Sequence, residues 1–179
     1  MERLNYRIAE PADFDAIHRL NYQTFVEEIP QHPPNPDGRL VDRFHAENTY
    51  LICRAESGLV GMVCGRCARP FSLDLKLPNL DRWLPTHRKA VEIRLLSVAP
   101  AYRKTSVFRE LTTILSRHFM AQGCDLAVIS GTVRELKLYR RLGFEPFGER
   151  VGAADASYQP MYLTLDAFLQ AATLRRVAA

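Results

Sequence analysis

Apolar and polar positions divide this chain into short strands and a few amphipathic helices. YRIAE (6–10) has the length and pattern of a strand, and Pro11 and Asp13 then open a helix. Phe14, Ile17, Tyr22, Phe25 and Ile29 recur on one side of that helix at helical period. PQHPPNPDG (30–38), with four Pro and a Gly, excludes regular structure, and RLVDRFHAE (39–47) predicts a short helical segment. TYLICRA (49–55) and LVGMVCGRCAR (59–69) flank ESG and predict a hairpin. Residues 70–89 hold Pro70, Pro78, Trp83 and Pro85 and predict a long irregular excursion, a type of segment that often carries function.

AVEIRLLSV (90–98) is the strongest strand, apolar enough to be central, with Glu92 and Arg94 embedded in it. A turn follows, then a helix with Val107, Leu111, Ile114, Leu115 and His118 on one face. CDLAVISGT (124–132) reads as another interior strand, and VRELKLYRRLGF (133–144) as a helix ended by Gly143. EPFGERV and QPMYLTL predict a closing strand pair, and DAFLQAATLRRVAA a helical tail that frays. This order predicts a mixed α/β or α+β domain around one sheet, residues 1–165, with 166–179 as the tail.

Composition narrows the picture little. The 179 residues suit one domain with a sizeable core, and 47% hydrophobic with 25% charged residues is an ordinary globular balance. No apolar run reaches about 18 residues, so no membrane span is expected. MERLNYRIAE lacks the apolar stretch of a signal peptide, which makes a cytoplasmic protein the default expectation. A net charge of +4 and a pI of about 9.0 admit nucleic acid as a partner, but no nucleic-acid module signature is present. An acidic substrate or an acidic carrier protein fits the charge equally well.

Cys64 and Cys67 form a C-x-x-C, the spacing of half a zinc site or of a redox pair. Zinc needs two more ligands, and Cys53 and Cys124 stand alone with no His at ligand spacing. A redox motif opens a helix, whereas this stretch reads as a strand. Chance spacing is the expectation, and no metal is predicted.

Three elements carry candidate chemistry. Glu92 sits in apolar company, either as a carboxylate paired at the sheet margin or as a half-buried general base with a raised proton affinity. After Pro100, the turn brings Arg103, Lys104, Thr105 and Ser106 to the start of a helix, whose free N–H groups and dipole favour an anion. The plain alternative is an ordinary helix start capped by Thr105 or Ser106. Tyr139 is either a packed aromatic or a phenol able to protonate a departing thiolate. Arg134, Lys137, Arg140 and Arg141 make its helix basic.

VEIRLLSVAPAYRKTSVF and LKLYRRLGFEPFG, in this order, resemble the strand-plus-turn and the Y-x-x-x-G-F signature of the GNAT superfamily of N-acyltransferases. The likeness covers most of the chain. It implies the GNAT fold: a central, mostly antiparallel twisted sheet flanked by helices. The implied donor is acyl-coenzyme A or another pantetheine-linked acyl group, attacked directly by a primary amine such as an amino acid. Carried over by position, Glu92 becomes the general base, the Leu96 N–H the donor to the thioester carbonyl, and Tyr139 the acid. Ser97 and Val98 pair with the pantetheine arm. The superfamily's Q/R-x-x-G-x-G/A loop falls on Arg103, Lys104, Thr105, Ser106, Val107 and Phe108, with both small positions replaced. Phe108 stands where backbone normally crowds the pyrophosphate, which tells against tight coenzyme A binding.

LNYQTFVEE, VDRFHAENTYLI, GRCARPFSLDLKLPNL and PMYLTL carry a finer resemblance. They look like the acyl-homoserine-lactone synthases and long-chain N-acyl amino acid synthases, which take acyl groups from acyl carrier protein. Asn21 stands where those families have Arg, and Arg94 falls one place early in their E-[IL]-S-R-[FL] strand. A carrier presents only one phosphate, so the missing glycines matter less, and Lys104, Arg109, Lys137 and Arg140 suit an acidic partner. The rival expectation is a non-catalytic GNAT-like module that senses an acyl or pantetheine ligand or serves a larger assembly.

Overall fold

A computed structural model describes residues 2–152 and 157–177. Seven strands form one sheet in the order β1-β2-β3-β4-β5-β7-β6. They are β1 Asn5–Ile8, β2 Thr49–Ala55, β3 Gly58–Arg66, β4 Ala90–Val98, β5 Leu126–Thr132, β6 Glu145–Pro146 and β7 Tyr158–Thr164. The α-helices are α1 Phe14–Tyr22, α2 Val107–Ala121, α3 Leu136–Arg141 and α4 Leu165–Val177. The predicted tail is therefore helical as far as Val177; residues 178–179 lie outside the described part. No helix among the described residues is long and apolar enough to cross a membrane.

The chain divides into two compact units. The first comprises Met1–Arg66 and Arg94–Phe119. Here β1 pairs antiparallel with β2, and β2 with β3, forming the predicted hairpin. Ile17 and Leu20 of α1 pack with Tyr50, Ile52, Met62 and Cys64, and Leu95 joins this cluster half-buried. The helix α2 buries Val107, Leu111, Leu115 and Phe119 at i, i+4 spacing; the expected Ile114 and His118 are only half-buried. Its close approach to β3 requires Gly61, because a Cβ there would lie 2.8 Å from Val107 Cγ1 and 3.0 Å from Leu111 Cδ1. After Tyr22 the expected helix continues as a π-helical turn, Gln23–Glu28.

The helix expected over 39–47 does not form; His45–Glu47 makes a single 3₁₀ turn. The Asp42 side chain explains the difference. Its Oδ1 accepts the Phe44 N–H at 3.0 Å, a local bond that competes with the helical ladder.

The second unit comprises Cys67–Ile93 and Met120–Ala179. Ala90, Val91 and Glu92 of β4 run parallel to Leu126, Ala127 and Val128 of β5, and β7 pairs antiparallel with both β5 and β6. Gly143, with φ of 98°, takes the left-handed conformation that ends α3. The excursion contains a short 3₁₀ turn at Leu80–Trp83, yet it is part of the core. Phe71, Leu73 and Leu80 are buried with Ala90, Leu126, Val128 and Phe147. Its far end is tied to β5 by Asp125, whose carboxylate accepts the N–H groups of Arg88 and Lys89 at 3.0–3.1 Å.

Candidate active site

In the second unit, Glu92 is fully buried rather than half-buried. Burial of a carboxylate is costly unless donors replace water, and here the excursion supplies them. Ser72 N–H donates to Oε2 at 2.9 Å, and the Ser72 hydroxyl and Leu73 N–H donate to Oε1 at 2.5 and 3.2 Å. Three donors on two oxygens suit an acceptor-only carboxylate. Glu92 therefore anchors the excursion, and the Ser72 hydroxyl is in direct contact with it. Nothing in PFSLDL marked Ser72 in advance; a buried acid signals that donors exist, not where they come from.

Tyr139, also in the second unit, rises from α3 onto β5 at Gly131. A Cβ at Gly131 would stand 2.9 Å and 3.0 Å from two ring carbons of Tyr139, so only glycine leaves room for the ring. Phe144 meets the same ring edge-on, with centroids 6.2 Å apart. Burial raises the phenol's pKa, partly countered by a hydrogen bond from Thr132. A phenol carries its proton at neutral pH even without that rise, the state a general acid needs.

The remaining predicted residues lie in the first unit. Leu95 has φ of 54° in the middle of β4. A leucine in that region is strained, and its left-handed φ turns the peptide it shares with its neighbour. Leu96, whose N–H was predicted to face the thioester carbonyl, is that neighbour. Ser97 is buried, and its hydroxyl has no hydrogen-bond partner among the described residues. The Val98 carbonyl is occupied, accepting Arg103 Nε at 2.8 Å. The Arg103 guanidinium also pairs with Glu28 of the π-helical turn. In the same loop, the Thr105 hydroxyl donates to Tyr102 O at 2.6 Å and accepts the Val107 N–H at 3.3 Å, which caps α2. Lys104, Thr105 and Ser106 are exposed, Phe108 is half-buried and Val107 is core.

A polar network in the first unit was not foreseen. Arg94 binds Asp42 through two bonds of 2.7 and 2.8 Å. Asn48 donates to Asp42 at 2.9 Å and to Tyr50 Oη at 3.0 Å, and His45 Nδ1 lies 3.2 Å from that phenol. His18 Nε2 is 3.4 Å from His45 Nδ1, and burial beside His45 lowers the His18 pKa. Phe44 lies under the guanidinium groups of Arg66 and Arg94, 3.7 and 5.0 Å from its ring centroid. The position of Arg94 left its role open in the sequence; its partner is now Asp42.

Cys64 is buried beside α1, whereas Cys67 Sγ lies 3.4 Å from Cys124 Sγ. Among the described residues, no group of three or more His, Cys, Asp or Glu is placed to hold a metal ion.

The family model described as "N-acyl amino acid synthase FeeM" matches residues 16–165. The chain belongs to the FeeM N-acyl amino acid synthase family. It is an N-acyltransferase, which sets aside the non-catalytic module. No curated protein matches it in sequence. Among solved structures it is similar to FeeM, an N-acyl amino acid synthase from uncultured soil microbes, with a TM-score of 0.74, 18% identity and 95% of each chain covered. It is also similar to BjaI, a CoA-dependent acyl-homoserine lactone synthase, with a TM-score of 0.75 and 18% identity over 96% of this chain and 88% of that one. A GNAT-family protein from Desulfovibrio desulfuricans gives a TM-score of 0.62 at 17% identity over 91% of this chain and 99% of that one. At these identities the three structures establish the GNAT fold, as the sequence motifs implied.

Proposed function

We propose that the chain joins a fatty acyl group to the amine of an amino acid, and that its donor is an acyl carrier protein rather than free acyl-coenzyme A. The observation that carries the choice of donor is the engagement of Arg103. The first cation of the phosphate loop is tied to Val98 O and Glu28, and Thr105 already takes the first N–H of α2. Of the exposed residues of this loop, Lys104 and Ser106 stand outside those bonds, and they suit one phosphate better than a pyrophosphate.

In the proposed reaction the neutral amine attacks the thioester carbon. The C–S bond breaks, and Tyr139 gives its proton to the departing thiolate. The ammonium proton leaves toward Glu92 through the Ser72 hydroxyl, which hydrogen-bonds that carboxylate.

The test is amine-dependent thiol release with long-chain acyl carrier protein and with the matching acyl-coenzyme A, across a panel of amino acids. Turnover with the carrier and at least about tenfold less with coenzyme A is expected, the ratio set by the lost phosphate contacts. Equal rates with both donors would remove the carrier preference, and release without amine would remove the acceptor assignment. Tyr139→Phe should lower kcat by about 10²-fold with donor affinity unchanged; an unchanged kcat would assign the ring to packing alone.

A further inference from the structure

Cys67 and Cys124 lie 57 positions apart in sequence with their sulfurs 3.4 Å apart. Cys67 is the first residue after β3 and is partly exposed, whereas Cys124 is buried just before β5. Both thiols are free. Their surroundings give the contact a consequence. Cys67 opens the excursion whose Ser72 and Leu73 hold Glu92. Cys124 precedes Asp125, which holds the other end of the excursion at Arg88 and Lys89. Both ends of the excursion thus meet the start of β5, one by hydrogen bonds and one by a sulfur contact.

We propose that Cys67 and Cys124 are a covalent modification site: a dithiol pair that closes to an intramolecular disulfide and fastens the start of the excursion to β5. The co-reactant is a low-molecular-weight disulfide of the glutathione class. Cys67 thiolate attacks one sulfur of glutathione disulfide, that S–S bond breaks, and one glutathione thiolate leaves. Cys124 thiolate then attacks the Cys67 sulfur and displaces the second glutathione. The protein loses two electrons and two thiol protons; the disulfide gains both electrons and becomes two glutathione thiols. A normal S–S bond of about 2.05 Å requires the sulfurs to close by about 1.4 Å, within reach of side-chain rotation. Cys67 makes the first attack because it is the accessible thiol. Burial and the contact with Cys67 push the Cys124 thiol up to about 12, with Lys89 lowering it and Asp125 raising it further, so Cys124 is the poorer first nucleophile of the two. Cys53 and Cys64 are fully buried and serve as internal controls.

The experiment incubates the full chain, freed of reductant, with glutathione disulfide at mildly alkaline pH. The intact mass should fall by two hydrogens, and a non-reducing peptide map should join Cys67 to Cys124. Closing a loop of this size should raise the unfolding midpoint by roughly 5–15 °C, reversibly with dithiothreitol. Cys124→Ala should hold an unresolved glutathione adduct on Cys67, and Cys67→Ala should yield neither adduct nor cross-link. Circular dichroism reports whether each variant folds, and the wild-type map decides the matter where one does not. A stable adduct on wild-type Cys67, a Cys64–Cys67 cross-link, or no reaction at all would overturn the proposal.

Discussion

Glu92 and Arg94 stand two residues apart on β4, and each fixes an irregular stretch of chain by different chemistry. Arg94 grips Asp42 side chain to side chain, with two bonds of a planar fork. Glu92 grips the excursion largely through main-chain N–H groups, helped by one hydroxyl. The first grip depends on one residue being an aspartate. The second depends on backbone shape, so the exposed excursion side chains are free to change without loosening it.

This comparison is broken most directly at Glu92. Glu92→Gln keeps the volume but turns one acceptor oxygen into a donor facing donors. A loss of about 3–4 kcal/mol in urea unfolding is expected, together with loss of turnover. Stability equal to wild type would mean that the excursion is held by its apolar residues alone. Asp42→Asn should cost less, about 2–3 kcal/mol, because Arg94 keeps Phe44 beneath it.

That variant also has a pH signature. Burial raises the Asp42 pKa, but Arg94, Asn48 and the Phe44 N–H outweigh it and hold the carboxyl below its usual range. A depressed folded pKa stabilises the fold above the unfolded value near 4, and the benefit disappears as pH falls through the folded value. Unfolding curves from pH 6 down to pH 2 should therefore converge for wild type and Asp42→Asn. Parallel curves would show that Asp42 contributes no such linkage. The smallest effect is expected at Ser72→Ala, about 1 kcal/mol, since both N–H groups on Glu92 remain. A drop in kcat beyond that of a comparably destabilised variant elsewhere in the second unit would support the hydroxyl's place in proton transfer.

The strands with a clear apolar signature were legible, and β4 falls on the predicted residues 90–98. The hairpin, the start of α2 and the glycine after α3 were legible for the same reason: each is written in neighbouring residues. What escaped depends on residues distant in sequence or on backbone strain. Residues 39–47 carry helical spacing, but Asp42 is recruited by Arg94, 52 positions away, and the helix yields. Glu92 was legible as a residue of interest, whereas its donors 19 and 20 positions earlier were not. The left-handed Leu95 has no sequence signal, since leucine is a poor choice for it. The contact of Cys67 with Cys124 had no sequence signal, because the two stand 57 positions apart.

Gly131 has an implication for how this family can drift. Every single-residue replacement of glycine adds atoms, and at this position they meet the ring of Tyr139. A lineage that keeps the phenol is confined to one residue on β5, while a lineage that loses the phenol is released from that confinement. In a library randomised at both positions, survivors with a larger side chain at 131 should carry a smaller one at 139. Such variants would be informative catalysts, because they separate the need for an acid from the need for a ring.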